Sequence, residues 1–94
     1  MTATVPGVRA FVALGANIGE PVKHLRAAVA DLAALPGTRV AARSSLYRSA
    51  PVGLLNQPDF INAVIAIDTQ LAPLALLHQL LAIEARHGRV RSIP

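Results

Sequence analysis

The chain has no cysteine and no tryptophan. The first absence excludes a disulfide and a thiolate metal site. The second, with aromatics at only 3% (Phe11, Tyr47 and Phe60), leaves the core to Ala, Leu, Val and Ile. Long apolar runs are also missing: none approaches the roughly 20 residues that cross a bilayer. The N-terminus has no basic stretch followed by an apolar one, so no signal peptide is read there. Acidic residues are scarce. Only Glu20, Asp31, Asp59, Asp68 and Glu84 are present, and no two of them have ligand-pair spacing on one strand, so no metal site is expected among these residues. Together these absences point to a soluble, cytoplasmic protein.

What is present bounds the answer further. Ninety-four residues make one domain, 1–94, with a modest buried fraction and a thin stability margin. A hydrophobic content of 53% and a mean hydropathy of +0.48 exclude a disordered chain. The formal net charge is +4, and eight of the nine basic residues are arginine. That balance suits anionic partners such as phosphates or nucleic acid. A generally Ala- and Arg-rich composition would give the same surplus with no partner at all.

Along the chain, residues 8–14 are a short apolar run ending at Gly15, which reads as a buried strand. Pro21 suits a first helical turn, and Val22, Leu25, Val29 and Leu32 recur at helical spacing until Pro36-Gly37 stops them. Residues 39–49 alternate in part, with Val40, Ala42 and Leu46 on one side and Arg39, Arg43 and Tyr47 on the other, a half-exposed strand. Residues 60–67 are apolar except for Asn62 and read as a central strand buried on both faces. Pro73 opens a second helix carrying Leu76, Leu80 and Ile83 on one set of turns and Leu74, Leu77, Leu81 and Glu84 on another, with Gly88 as its terminator. His24, His78 and His87 read as surface or packing residues.

The chemistry concentrates in residues 43–62. Pro51, Gly53 and Pro58 break regular structure there. Around that loop stand a hydroxyl (Ser49), a ring (Phe60) and an amide (Asn62). A flat heterocycle needs such a set: a face to stack on, and an edge group that both donates and accepts. An amide in an apolar strand costs about 1–3 kcal/mol per unmade hydrogen bond. Asn62 therefore either binds a ligand or bonds the neighbouring loop backbone. Gly15 in GANIG reads as a tight strand-to-helix turn beside that pocket.

Ser44, Ser45, Tyr47, Ser49, Pro51 and Gly53, followed by Gln57, Pro58, Phe60 and Asn62, resemble the pterin loop of the 6-hydroxymethyl-7,8-dihydropterin pyrophosphokinases. Two further stretches, VALGANIGEP at 12–21 and IEARHGRVR at 83–91, are similar to the same family. The resemblance implies that Ser49, Ala50, Val52, Gly53, Phe60 and Asn62 bind the pterin, Phe60 by stacking and Asn62 at its polar edge. It implies that Glu84, Arg89 and Arg91 bind ATP as co-substrate, and that Arg89 and Arg91 assist catalysis at the phosphates. The chain departs from the family at Leu81, where a polar residue, commonly Gln, often meets the nucleotide. The family's Mg²⁺ carboxylates, an Asp-x-Asp pair, lie on a later strand and have no counterpart in these 94 residues.

The implied fold is α+β, a ferredoxin-like β-α-β-β-α(-β) order with the final strand missing from this chain. On that expectation the chain is the N-terminal part of a pyrophosphokinase fold, stops short of the family's length after Arg91, and is inactive alone. Its first strand, 8–14, would present an open edge and self-associate. Two other readings stay open: a truncated, non-catalytic pterin-binding module, and a basic ferredoxin-like nucleic-acid-binding domain. The second would want exposed aromatics for base stacking. The resemblance implies small-molecule partners, with neither a membrane nor nucleic acid.

Overall fold

A computed structural model describes residues 7–51 and 57–87 and the backbone of 90–93. The order is β1 (Val8–Ala16), α1 (Pro21–Ala33), β2 (Thr38–Arg43), β3 (Tyr47–Ser49), β4 (Phe60–Thr69), α2 (Pro73–His87) and β5 (Val90–Ile93). The strands form one antiparallel sheet in the order β2-β4-β1-β5, with β3 also paired to β4. This is the expected α+β, ferredoxin-like arrangement. None of the described helices is long and apolar enough to cross a membrane.

One part of the expectation is overturned. The final strand is present: Val90 to Ile93 pair with Ala16 to Ala13 of β1. Four residues after a helix end were too short a run to read as a strand without the partner they hydrogen-bond to. The expected open edge over 8–14 narrows accordingly, because Ala13 and Leu14 have a neighbour and only 8–12 have none on that side among the described residues. Gly88, the expected helix terminator, lies outside the described residues.

The expected single strand over 39–49 is two strands that share one edge of β4. Thr38 to Arg43 pair with its far half and Tyr47 to Ser49 with Asn62 to Phe60. At the break the Ser44 hydroxyl takes over from the ladder. It accepts the Val64 N–H at 2.8 Å and donates to the Ser45 carbonyl at 2.8 Å, while the Ser44 N–H donates to Val64 O. These bonds keep Val64 paired through both its N–H and its carbonyl across the break. A register shift between Val40 and Ala42 also turns the chain over. Ala42 then pairs with Ala66 and Arg43 with Ile65, the reverse of the expected sides.

Residues at odd positions of β4 (Ala63, Ile65, Ile67, Thr69) are buried beneath the helices, with Val12, Leu14 and Ala16 of β1 beside them. From α1 come Leu25, Ala28 and Leu32, and from α2 Leu76, Leu80 and Ile83. Contrary to the expectation, β4 is not buried on both faces. On its other side Ala66 is buried, but Asn62, Val64 and Asp68 are only half-buried.

At the end of that open face Asp68 holds two arginines. Arg9 donates Nε and Nη2 to its two oxygens, and Arg39 donates Nε and Nη2 to Oδ2 at 3.3 Å. The Arg9 hydrogen bond, opposed by partial desolvation and assisted by Arg39, holds the Asp68 carboxyl below the usual carboxylate range.

Two outcomes are expected. Leu80→Ala, in the core, should destabilise by about 2–5 kcal/mol in denaturant titration, whereas Leu81→Ala, on the outer side of the same helix, should cost under about 0.5 kcal/mol. Asp68→Asn should lower the melting temperature at neutral pH. A depressed folded pKa stabilises above the ordinary value near about 4 and is lost as pH falls through the lowered one, so the gap between parent and variant should close in acid.

Candidate functional site

The open face carries the amide that interrupts the apolar run of β4. Tyr47 is its cross-strand partner, and Ser49 faces Phe60 in the same pairing. Alternation therefore puts Tyr47, Ser49, Phe60 and Asn62 on one side of the sheet. The Asn62 Nδ2 donates to Ser49 Oγ at 2.8 Å and to the Tyr47 carbonyl at 3.2 Å, with a longer contact to Phe60 O at 3.5 Å. Both amide hydrogens are thus committed. Among the described residues Oδ1 takes no hydrogen bond, which leaves an acceptor of fixed direction. Ser49 accepts from Asn62, so its own hydroxyl hydrogen is available to donate. The pair offers one donor and one acceptor side by side, flanked by the half-buried Phe60.

Gly15 is what makes room for this group. It pairs with Asn62 from the other edge of β4. A Cβ on Gly15 would come within 2.9 Å of Asn62 Oδ1 and 3.5 Å of Phe60 Cδ1. The expected tight turn at Gly15 is corrected: the residue is inside β1, and the turn glycine is Gly19, with φ 69°. Gly15 also pairs with Arg91 of β5. A single row of backbone positions, Tyr47–Asn62–Gly15–Arg91, crosses four strands. With strands about 4.8 Å apart, the Arg91 Cα stands about 10 Å from that of Asn62.

A buried residue that sequence reading passed over holds the loop. Asn17, only 9% exposed, donates from Nδ2 to Gln57 Oε1 at 3.1 Å and to the Pro58 carbonyl at 3.2 Å. It fastens the end of the 51–58 loop to the exit of β1. The available signal was an amide directly after a buried strand, a place where an unpartnered polar group is costly. Beside it Asn17, Ile18, Pro21, Arg48, Pro58 and Ile61 help line an open cleft of about 590 Å³.

The remaining expected residues are placed as follows. Ala50 is exposed at the start of the loop. Val52, Gly53 and Arg89 lie outside the described residues, and Arg91 is described by its backbone alone. Glu84 is half-buried on α2, in the helical layer, whereas Asn62 lies on the open face of the sheet. The described residues include no group of three acidic or histidine side chains that could hold a metal ion.

The family model for 7,8-dihydro-6-hydroxymethylpterin-pyrophosphokinase matches residues 11–94. The chain is similar to proteins named 2-amino-4-hydroxy-6-hydroxymethyldihydropteridine pyrophosphokinase. It is 51% identical to that of Pseudomonas aeruginosa over 85 residues, 90% of this chain and 52% of that protein. It is 53% identical to that of Methylorubrum extorquens over 83 residues, 88% of this chain and 52% of that protein. A more distant relative, the folic acid synthesis protein fol1 of Schizosaccharomyces pombe, is 34% identical over 84 residues, 12% of its length. The chain spans about half the length of the two bacterial relatives it matches.

Gly15→Ala should displace Asn62 from Ser49 and Tyr47. The Asn62 side-chain amide protons should then move to positions typical of a solvated amide, and stability should fall by about 1–3 kcal/mol. Side-chain amide spectra and denaturant titration measure the two effects, and an Asn62 signal that does not move would mean Gly15 is not what makes room for it.

Proposed function

The chain belongs to the 7,8-dihydro-6-hydroxymethylpterin-pyrophosphokinase family, and from that premise we propose that the protein transfers the pyrophosphoryl group of ATP to 6-hydroxymethyl-7,8-dihydropterin, a step of folate synthesis in the cytoplasm. The hydroxymethyl oxygen attacks the β-phosphorus. The bond from that phosphorus to the α,β-bridging oxygen breaks, AMP leaves, and the hydroxyl proton passes to water. One observation carries the reading: Asn62 is fixed by Ser49 and Tyr47 over Gly15, with Phe60 beside it. Asn62 Oδ1 accepts from the amino and ring N–H edge of the pterin, and the Ser49 hydroxyl donates to a ring nitrogen or the carbonyl. Phe60 stacks on the ring face, contributing about 0.5–1.5 kcal/mol beyond area burial. Ala50, Val52 and Gly53 shape the loop around the substrate.

The backbone of Arg91 follows the same row, about 10 Å from Asn62, and that spacing supports a phosphate-binding role for Arg91 beside the pterin. Arg89 and Arg91 act on the phosphates as guanidinium forks that offset charge developing during transfer. Glu84 takes the nucleotide from the helical side. Mg²⁺, when bound, would neutralise charge on the phosphates; the described residues offer no group of side chains that fits it, and no step above depends on it. Residues 1–94 alone are expected to turn over negligibly. Partners are small molecules, with neither membrane nor nucleic acid, and any self-association is confined to the 8–12 edge.

Titration calorimetry with the pterin tests the site. Asn62→Ala and Phe60→Ala should each weaken binding about tenfold or more, a loss of about 1.4 kcal/mol. Equal affinity of both variants and parent would remove the pocket assignment. AMP formation that depends on pterin and Mg²⁺, measured on protein of the relatives' length, tests the reaction itself.

A further inference from the structure

Asp31 is a misplaced charge by local rules. It stands in the last turn of α1, where a carboxylate meets the negative end of the helix dipole and no basic side chain of that turn offsets it. Its partners come from the other helix. His87 Nε2 lies 2.6 Å and Arg86 Nη1 3.0 Å from the same oxygen, Asp31 Oδ2. The contact is sheltered: the His87 side chain is 15% exposed and that of Asp31 25%. Arg86 and His87 are the last two residues of α2, and β5 begins at Val90. Two residues therefore separate the clamped imidazole from the strand whose Arg91 pairs with Gly15.

We propose that Asp31 is a positioning residue for the ATP side of the site, acting through His87 and Arg86 to fix where the chain leaves α2 and enters β5. The inference rests on the pyrophosphokinase reading for its substrate. Asp31 touches no reacting group. It holds the end of α2 against α1, so that the short passage to β5 starts from one place and the register Val90–Ala16 is kept. Without it, α2 is still held by Leu76, Leu80 and Ile83, but its last turn is free to fray. Phosphate binding suffers while the pterin row, built on β1, β3 and β4, does not.

The test uses protein of the relatives' length and the variants Asp31→Ala, His87→Ala and His87→Gln. The glutamine keeps an N–H donor in reach of the carboxylate. Asp31→Ala and His87→Ala should each raise KM for ATP about fivefold, with KM for the pterin unchanged, and His87→Gln should restore most of the loss. Amide exchange, which needs no turnover, should speed up at Val90–Ile93 in both alanine variants and stay constant at Val12 and Ile65. An unchanged KM for ATP, or a rise in both KM values together with a lower melting temperature, would overturn the proposal. If the parent transfers no pyrophosphoryl group, the functional reading fails by itself, and unaltered exchange at Val90–Ile93 would still decide against the tie.

Discussion

A central strand must satisfy both edges and both faces, and in this chain β4 bears that requirement for the whole structure. Its edges are taken by β1 on one side and by β2 and β3 on the other. Its odd positions close the core under the two helices, where Ile65 and Ile67 are 1% and 0% exposed. The even positions are then obliged to face away from the helices. An amide at position 62 is tolerable only because of that parity, and a slip of one residue would drive it into the aliphatic core, unpaired.

Side-chain hydrogen bonds complete the ladder wherever the backbone leaves it. Ser44 bridges the break between β2 and β3, Asn62 ties β3 back to β4, and Asn17 fastens the end of the intervening loop. Each joins parts of the chain at least 15 residues apart. Among the described residues, the groups of the candidate site stand on strands β1, β3 and β4. A site that must recognise a flat heterocycle gains from this, because little order has to be imposed when the ligand arrives.

Scarcity of acid shapes the charge arrangement. With nine basic and five acidic residues, Asp68 and Asp31 each serve two nitrogen donors. Asp68 joins Arg9 and Arg39 across three strands, and Asp31 joins Arg86 and His87 across two helices. Neither pair is deep enough to dominate stability, since exposed ion pairs contribute about 0–1 kcal/mol. Their effect is geometric: one fixes the end of the sheet, the other the end of a helix.

The sequence by itself determined the two helices, the first and central strands, the two separate stripes of α2 and the break in regular structure between the strands. Periodicity separates Leu76, Leu80 and Ile83 from Leu74 and Leu81 without any tertiary information, and Pro51, Gly53 and Pro58 forbid regular structure wherever they fall. Ser49, Phe60 and Asn62 were legible as a set because their residue types are unusual between apolar runs. The tertiary structure decided what depends on partners. Val90–Ile93 is a strand because β1 offers it an edge, and four residues have no propensity strong enough to announce that. The bulge at 40–42 reversed the sides of Ala42 and Arg43 because pairing with β4, not local alternation, sets the register. Asn17, Gly15 and Asp31 acquire their roles from residues 40, 47 and 56 positions away, and no local pattern encodes such distances.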